Sequence, residues 1–234
     1  VTARLITALD TADPAQARAW ADMVRPYCGM IKLGLEFFLA NGAAGVRAIG
    51  DVPIFLDLKM HDIPNTVAGG IRAVLPLAPR MITLHAAGGA AMITAARAAA
   101  ETAGCNRPLL LGVTVLTSLD AATLRTTGVP DEPRQQVMRL ARLALEAGAD
   151  GLVCGAQEAA LMRVTFGPSI TLVVPGIRPA AFGGDDQRRT MTPRAASEAG
   201  ADWLVVGRPI TAAPDPAAAA AAIIAEIGEL STVA

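Results

Sequence analysis

Eight short apolar runs punctuate the chain, and longer Ala-rich stretches with helical spacing lie between them. The runs are Arg4–Asp10, Gly29–Gly34, Ile54–Lys59, Met81–Ala86, Leu109–Thr117, Gly151–Ala156, Thr171–Ile177 and Trp203–Arg208. They are nearly continuous in hydrophobicity rather than alternating, which is the mark of parallel strands covered on both faces. The helical stretches have readable ends. Asp13-Pro14 predicts an N-cap followed by proline at the first helical position. "ALEAGAD" and "ASEAGAD", ending at Asp150 and Asp202, each read as a helix stopped by glycine before the next strand.

Eightfold alternation of strand and helix in 234 residues, with no linker or break in composition, predicts one α/β domain over residues 1–234, a (β/α)8 TIM barrel. The rival is an open doubly wound sheet. That arrangement calls for a GxGxxG turn after the first strand, whereas this strand runs into "DTADPAQA".

Composition narrows the function. The chain is 53% hydrophobic and 18% charged, with a net charge of −1 and no basic arm, so neither nucleic acid nor a membrane surface is an expected partner. The longest purely apolar stretch, Ala217–Ala225, is too short to span a bilayer. Three widely spaced cysteines without a CxxC, and no visible targeting segment, predict a reducing, cytoplasmic setting. With only two histidines, a structural zinc site is not expected.

Against this apolar background the polar residues fall at the carboxyl ends of the strands, where a barrel of this kind keeps its active site. In order they are Asp10, Lys32, Asp57 and Lys59 with Asp62 beyond, His85, Thr117-Ser118, Pro175 to Arg178, and Gly207-Arg208. Several have a plain structural reading. Asp10 reads as a turn residue, Lys32 as a long side chain reaching the rim, His85 as a core histidine and His61 as a solvated loop residue. Cys154 reads as a small buried hydrophobe, Glu36 as a helix-start residue and Gly183–Asp186 as an ordinary loop. Asp57 and Lys59 resist such a reading. Positions i and i+2 of a strand share a face, so both point one way while Leu56 and Leu58 point the other. Buried charges are costly unless paired, and Asp10 and Lys32 on neighbouring strands complete an alternating acid–base array.

The pattern Asp57-x-Lys59-x-x-Asp62-Ile63-x-x-Thr66 resembles the signature of the orotidine 5'-monophosphate decarboxylase family. The resemblance extends over essentially the whole chain: Leu9-Asp10, Ile31–Phe38, Leu116–Ser118, Val174–Pro179, Asp185–Arg189 and Val205–Ile210 follow in order. It implies a homodimeric barrel that converts orotidine monophosphate to uridine monophosphate and carbon dioxide, the last step of de novo pyrimidine nucleotide synthesis, without metal or organic cofactor. It implies Lys59 as the acid that protonates C6, Asp57 near the substrate carboxylate, and Asp10 and Lys32 on the ribose. Asp62, Ile63 and Thr66 would reach into a partner's site, and Thr117 and Ser118 would meet the pyrimidine edge. Gly207 and Arg208 would hold the phosphate, Gln187 would bridge base and phosphate, Pro175 would touch the substrate, and Arg178 would stand at the root of a closing lid formed by residues 183–189. A related sugar-phosphate branch shares Asp-x-Lys-x-x-Asp but relies on magnesium and lacks the Ile-x-x-Thr continuation. It is the alternative enzyme, and a non-catalytic nucleotide-binding barrel is the alternative outside enzymes.

Overall fold

A computed structural model describes residues 3–179 and 191–228. In chain order the elements are β1 (Arg4–Ala8), α1 (Pro14–Val24), β2 (Met30–Gly34), α2 (Leu35–Ala48), β3 (Ile54–Met60) and α3 (Pro64–Val74). There follow β4 (Met81–His85), α4 (Ala90–Glu101), β5 (Leu109–Val113), α5 (Ala121–Thr126), α6 (Pro133–Glu146) and β6 (Gly151–Val153). The chain continues with α7 (Ala159–Phe166), β7 (Thr171–Val174), α8 (Pro193–Glu198), β8 (Trp203–Val206), α9 (Arg208–Thr211) and α10 (Pro216–Gly228). All eight strands are parallel and hydrogen-bonded in sequence order, and β8 pairs back to β1 to close the barrel. The expected fold is therefore observed. No helix of the described residues is long and apolar enough to cross a membrane.

The near-continuous hydrophobicity of the strands is explained by two apolar layers. Ile6, Met30, Phe55, Met81, Leu111, Val173, Trp203 and Val205 form one buried cluster that fills the barrel. The alternate residues, among them Leu5, Ile31, Leu56, Ile82, Leu110, Leu172 and Leu204, belong to a second cluster shared with the helices. Both faces of each strand are thus buried, as parity requires.

Several predicted strands run too far at the carboxyl end. The stretch from Leu109 leaves the ladder at Val113, that from Gly151 at Val153, and that from Thr171 at Val174. Beyond these points Val115, Ala156 and Ile177 remain buried without extending the strands. Hydrophobicity reports burial there, not pairing, and the rim that carries the site is buried too.

The helix ends are as read. The Asp13 carboxylate accepts from Ala15 N (2.8 Å) and Gln16 N (3.3 Å), with Pro14 opening α1. The two "AGAD" turns prove to be one device used twice. Gly148 and Gly200 take φ of 103° and 92°, and the aspartate after each accepts from a strand amide: Leu110 N to Asp150 (2.8 Å), Leu172 N to Asp202 (2.7 Å). An arginine on the helix of the preceding strand–helix unit, α4 or α7, clasps each turn. Arg97 donates to Gly148 O (3.1 Å) and Asp150 (2.9 Å), and Arg163 to Gly200 O (2.7 Å) and Asp202 (2.7 Å). These clasps secure the amino ends of the strands and leave the opposite face for chemistry.

Candidate active site

Four consecutive strands carry a row of polar side chains above the apolar filling of the barrel. Asp10 follows β1, Lys32 lies on β2, Asp57 and Lys59 on β3, and Thr83 on β4. Ile6 and Ala8, Met30, Phe55, and Met81 lie below them on the same inward parity. The row is alternately charged. Lys32 Nζ lies 3.2 Å from Asp10 Oδ1 and 3.4 Å from Asp57 Oδ2. Lys59 Nζ donates to both Asp57 oxygens at 2.8 Å. The Thr83 hydroxyl donates to Asp57 Oδ1 (3.0 Å) and accepts from Lys59 N (2.9 Å).

Burial makes this row an electrostatic unit. The side chains of Lys32 and Asp57 are 11% and 12% exposed. Burial pushes the Asp57 carboxyl up, but the charges of Lys32 and Lys59 and the bonds from Lys59 and Thr83 outweigh it and hold the group below the usual carboxylate range. Burial likewise pushes the Lys32 ammonium down, and Asp57 and Asp10 overcome this to raise it above the ordinary lysine value. The charged forms are therefore the stable ones. Close approach of backbone helps: a Cβ on Gly34 would stand 3.3 Å from Lys32 Nζ, and one on Gly207 3.4 Å from Asp10 Oδ2.

The simple alternation expected for β3 fails at one point. Leu56 and Leu58 do belong to the outer cluster, opposite Asp57. Lys59, however, has φ of +47°, in the left-handed region, and the pairing of β3 with β4 shifts register between Leu56 and Met60. A bulge re-aims a side chain, and here it turns the ammonium back onto Asp57. Strain of this kind in a residue with a Cβ costs about 1–3 kcal/mol and collects at functional sites.

A cavity of about 210 Å³ opens beside the row. Lys32, Asp57 and Lys59 form its charged wall, while Phe55, Val113, Val153, Val173 and Val205 supply an apolar one. Thr117 and Pro175 also line it. Ser118 does not: it lines a neighbouring cavity with Asp120, Arg134 and Gln157, and Thr117 borders both. Gly207 stands beside Asp10, and Arg208 begins α9. Arg178 is held beyond β7, its guanidinium donating to Ile177 O (2.9 Å) and its backbone N–H donating to Met191 O (2.9 Å). Gln187 and the whole of the expected lid, residues 183–189, lie outside the described residues.

Asp62, Ile63 and Thr66 stand apart. All three are exposed, on the turn after β3 and the first turn of α3, and none lines the cavity. Asp62 Oδ1 accepts from Ile63 N (2.7 Å). The side chain of Glu36, exposed in the first turn of α2, fits the helix-start reading. Cys154 is buried as expected, and burial pushes its thiol up to about 12. His85 departs from the core reading. It is half-buried near the rim, and its ring meets that of His61.

Sequence reasoning missed Thr83. Its signal was parity alone: Met81, Thr83 and His85 share a face of β4, which places a hydroxyl inward beside Asp57. Among the described residues, no group of three or more His, Cys, Asp or Glu side chains is placed to hold a metal ion.

Comparison with known proteins agrees with this geometry. Residues 3–223 match the model of the orotidine 5'-phosphate decarboxylase / HUMPS family. The chain is 53% identical over 228 residues to an orotidine 5'-phosphate decarboxylase of Gluconobacter oxydans, covering 96% of this chain and 97% of that one. It is 52% identical over 230 residues to the enzyme of that name from Thermobifida fusca, covering 97% of each. The crystal structure of orotidine 5'-phosphate decarboxylase from Lactobacillus acidophilus superposes with a TM-score of 0.86 at 37% identity, over 96% of this chain and 99% of that one.

Proposed function

The chain belongs to the orotidine 5'-phosphate decarboxylase / HUMPS family, and from that premise we infer that it decarboxylates orotidine 5'-monophosphate to uridine 5'-monophosphate and carbon dioxide, within pyrimidine nucleotide synthesis. The observation that carries this reading is the Asp10–Lys32–Asp57–Lys59 row, buried at Lys32 and Asp57, beside a small cavity that Lys32, Asp57 and Lys59 line. When the bond from C6 to the carboxylate breaks, its electron pair stays on C6 and carbon dioxide leaves. Lys59 delivers a proton to that carbon and becomes a neutral amine, which solvent then reprotonates. The row is organised before the reaction begins, so the developing charge at C6 meets a fixed ammonium and needs no solvent reorganisation. Asp57 aims the Lys59 ammonium through two hydrogen bonds, and its own charge would lie near the substrate carboxylate. The apolar wall would take the pyrimidine, with Thr117 at its edge and Ser118 next to it.

The remaining roles extend the same reading. Lys32 and Asp10 hold ribose hydroxyls. Pro175, Arg178, Gln187, Gly207 and Arg208 hold the phosphate, in the loops after the seventh and eighth strands where such barrels bind it. A homodimer is supported by the exposure of Asp62, Ile63 and Thr66. Ile63 is 67% exposed, on the turn between β3 and α3 beside Asp62. A second copy would cover it and bring Asp62 to the substrate. The magnesium-dependent sugar-phosphate reading is disfavoured by a specific contact: the carboxylates of Asp10 and Asp57 are already engaged by ammonium groups.

The test follows the loss of ultraviolet absorbance of orotidine monophosphate, with and without a chelator. Turnover should be undiminished by the chelator and abolished in Lys59→Ala. Absence of turnover, or restoration only by added magnesium, would overturn the reading.

A further inference from the structure

Both histidines of the chain, His61 and His85, meet near the rim, and no step above uses them. Their ring centroids are 5.5 Å apart and the planes are tilted by 38°. They end a series of contacts that begins at Lys59. Lys59 N donates to the Thr83 hydroxyl (2.9 Å), Met60 pairs with Leu84, and His61 meets His85. Three successive residues of one segment are thus held by three successive residues of the next. The series begins within the register shift, where β3 takes four steps from Leu56 to Met60 against two along β4 from Ile82 to Leu84. A lysine in the left-handed region persists only where its surroundings over-determine it. The first rung is a hydrogen bond, the second a strand pair, and the third is the ring contact. Gly88 lies close by: a Cβ there would come within 3.2 Å of His61 Cδ2.

We propose that the His61–His85 contact is a positioning device for Lys59, closing the re-registered end of β3 against β4 and fixing the ammonium on Asp57 while both rings are uncharged. The groups that face His85 are His61, Lys59 and Asp57. Burial, then His61 and Lys59, hold its imidazole below the ordinary histidine range, and Asp57 opposes them more weakly. Charging both rings places two like charges 5.5 Å apart, next to a third on Lys59. The contact then pushes itself open, and the third rung is lost.

The kinetic part of the proposal rests on the decarboxylase reading, while its titration part does not. The variants are His61→Ala, His85→Ala and a double variant with Phe at both positions. The measurements are kcat and KM from about pH 5 to 9 and nuclear magnetic resonance titration of the imidazoles in the free protein, a range that brackets the ordinary histidine value. Each Ala variant is expected to lose roughly 10- to 100-fold in kcat at high pH with little change in KM, the signature of a displaced reacting group. The Phe pair restores most of that loss and lacks the acid limb the parent shows. In His61→Ala, the His85 titration moves up, because one opposing group is gone. Because His61 is exposed, that variant retains the fold even where His85→Ala does not. A loss confined to KM, an acid limb that survives in the Phe pair, or an unmoved His85 titration overturns the proposal. If the parent itself fails to turn over orotidine monophosphate, the decarboxylase reading falls and the titration alone decides the role of the rings.

Discussion

Asp57→Asn is the most informative single change at the site. The carboxylate is 12% exposed and receives two bonds from Lys59 at 2.8 Å, one from Thr83 at 3.0 Å, and the charge of Lys32 at 3.4 Å. At an effective dielectric near 20, each ammonium–carboxylate attraction over such distances is about 5–6 kcal/mol before desolvation is subtracted. The amide keeps the shape and one acceptor oxygen but drops the charge. Two ammoniums, one of them 11% exposed, are then left with Asp10 as their remaining counter-charge in the row, and Asp10 is 61% exposed. Breaking a buried pair from one side costs about 3–5 kcal/mol, against a total stability of about 5–15 kcal/mol. The variant should therefore fold with a Tm lower by about 6–20 °C, at 2–4 °C per kcal/mol for a chain of this size.

Urea unfolding at neutral pH measures the loss, and turnover measures its chemical consequence, expected at about 100-fold or more in kcat. A second variant separates charge from shape. Adding Lys32→Met to Asp57→Asn removes the stranded ammonium, so stability should partly return while turnover stays low. The reasoning is refuted if Asp57→Asn unfolds within about 1 kcal/mol of the parent, or if the double variant is less stable than the sum of the single ones.

Thr83→Val is nearly isosteric but removes the donor to Asp57 and the acceptor for Lys59 N, and should cost about 2–4 kcal/mol by urea unfolding together with a fall in kcat. Asp150→Ala should cost about 3 kcal/mol, because Leu110 N and the guanidiniums of Arg97 and Arg107 lose their acceptor at 2.7–2.9 Å. It lies at the amino ends of the strands, so the folded fraction should keep parental kcat. Stability should also vary at both ends of the pH scale. Asp57, held below the ordinary carboxyl value of 3.8, contributes stability that is present above that pH and lost as pH falls through its folded value. Lys32, held above 10.5, contributes stability that is present below that pH and lost as pH rises through its folded value. Urea midpoints across pH check both, and Asp57→Asn should flatten the acid arm.

How much of this was legible in the sequence follows from the cost of each feature. The barrel was legible because eight strands buried on both faces must be apolar throughout, and the helix stops at Gly148 and Gly200 need a residue free to take positive φ. The site was legible where a charge had been placed in an apolar strand. Lys32, Asp57 and Lys59 are too expensive to bury singly, so their presence implied one another. Thr83 carried no such mark, since a hydroxyl on a strand satisfies itself with many partners and is tolerated almost anywhere. The strand ends were overread because Val115 and Ile177 are as buried as any strand residue.

The failure of alternation on β3 has a physical cause. Period-two reasoning assumes an unbroken ladder, and here the ladder breaks at Lys59, a residue with no intrinsic preference for the left-handed region. Local propensity argues against this conformation. It exists because Thr83, Leu84 and His85 hold the three residues from Lys59 to His61 one by one. Such a constraint is set by tertiary contact between two segments and leaves no signature within either of them. Disagreement between local and global preference is expected where function has been given precedence over stability. The stretch that defeats the alternation rule is therefore the one to which we assign the proton, and the two histidines that composition passed over become legible only once the break beside them is seen.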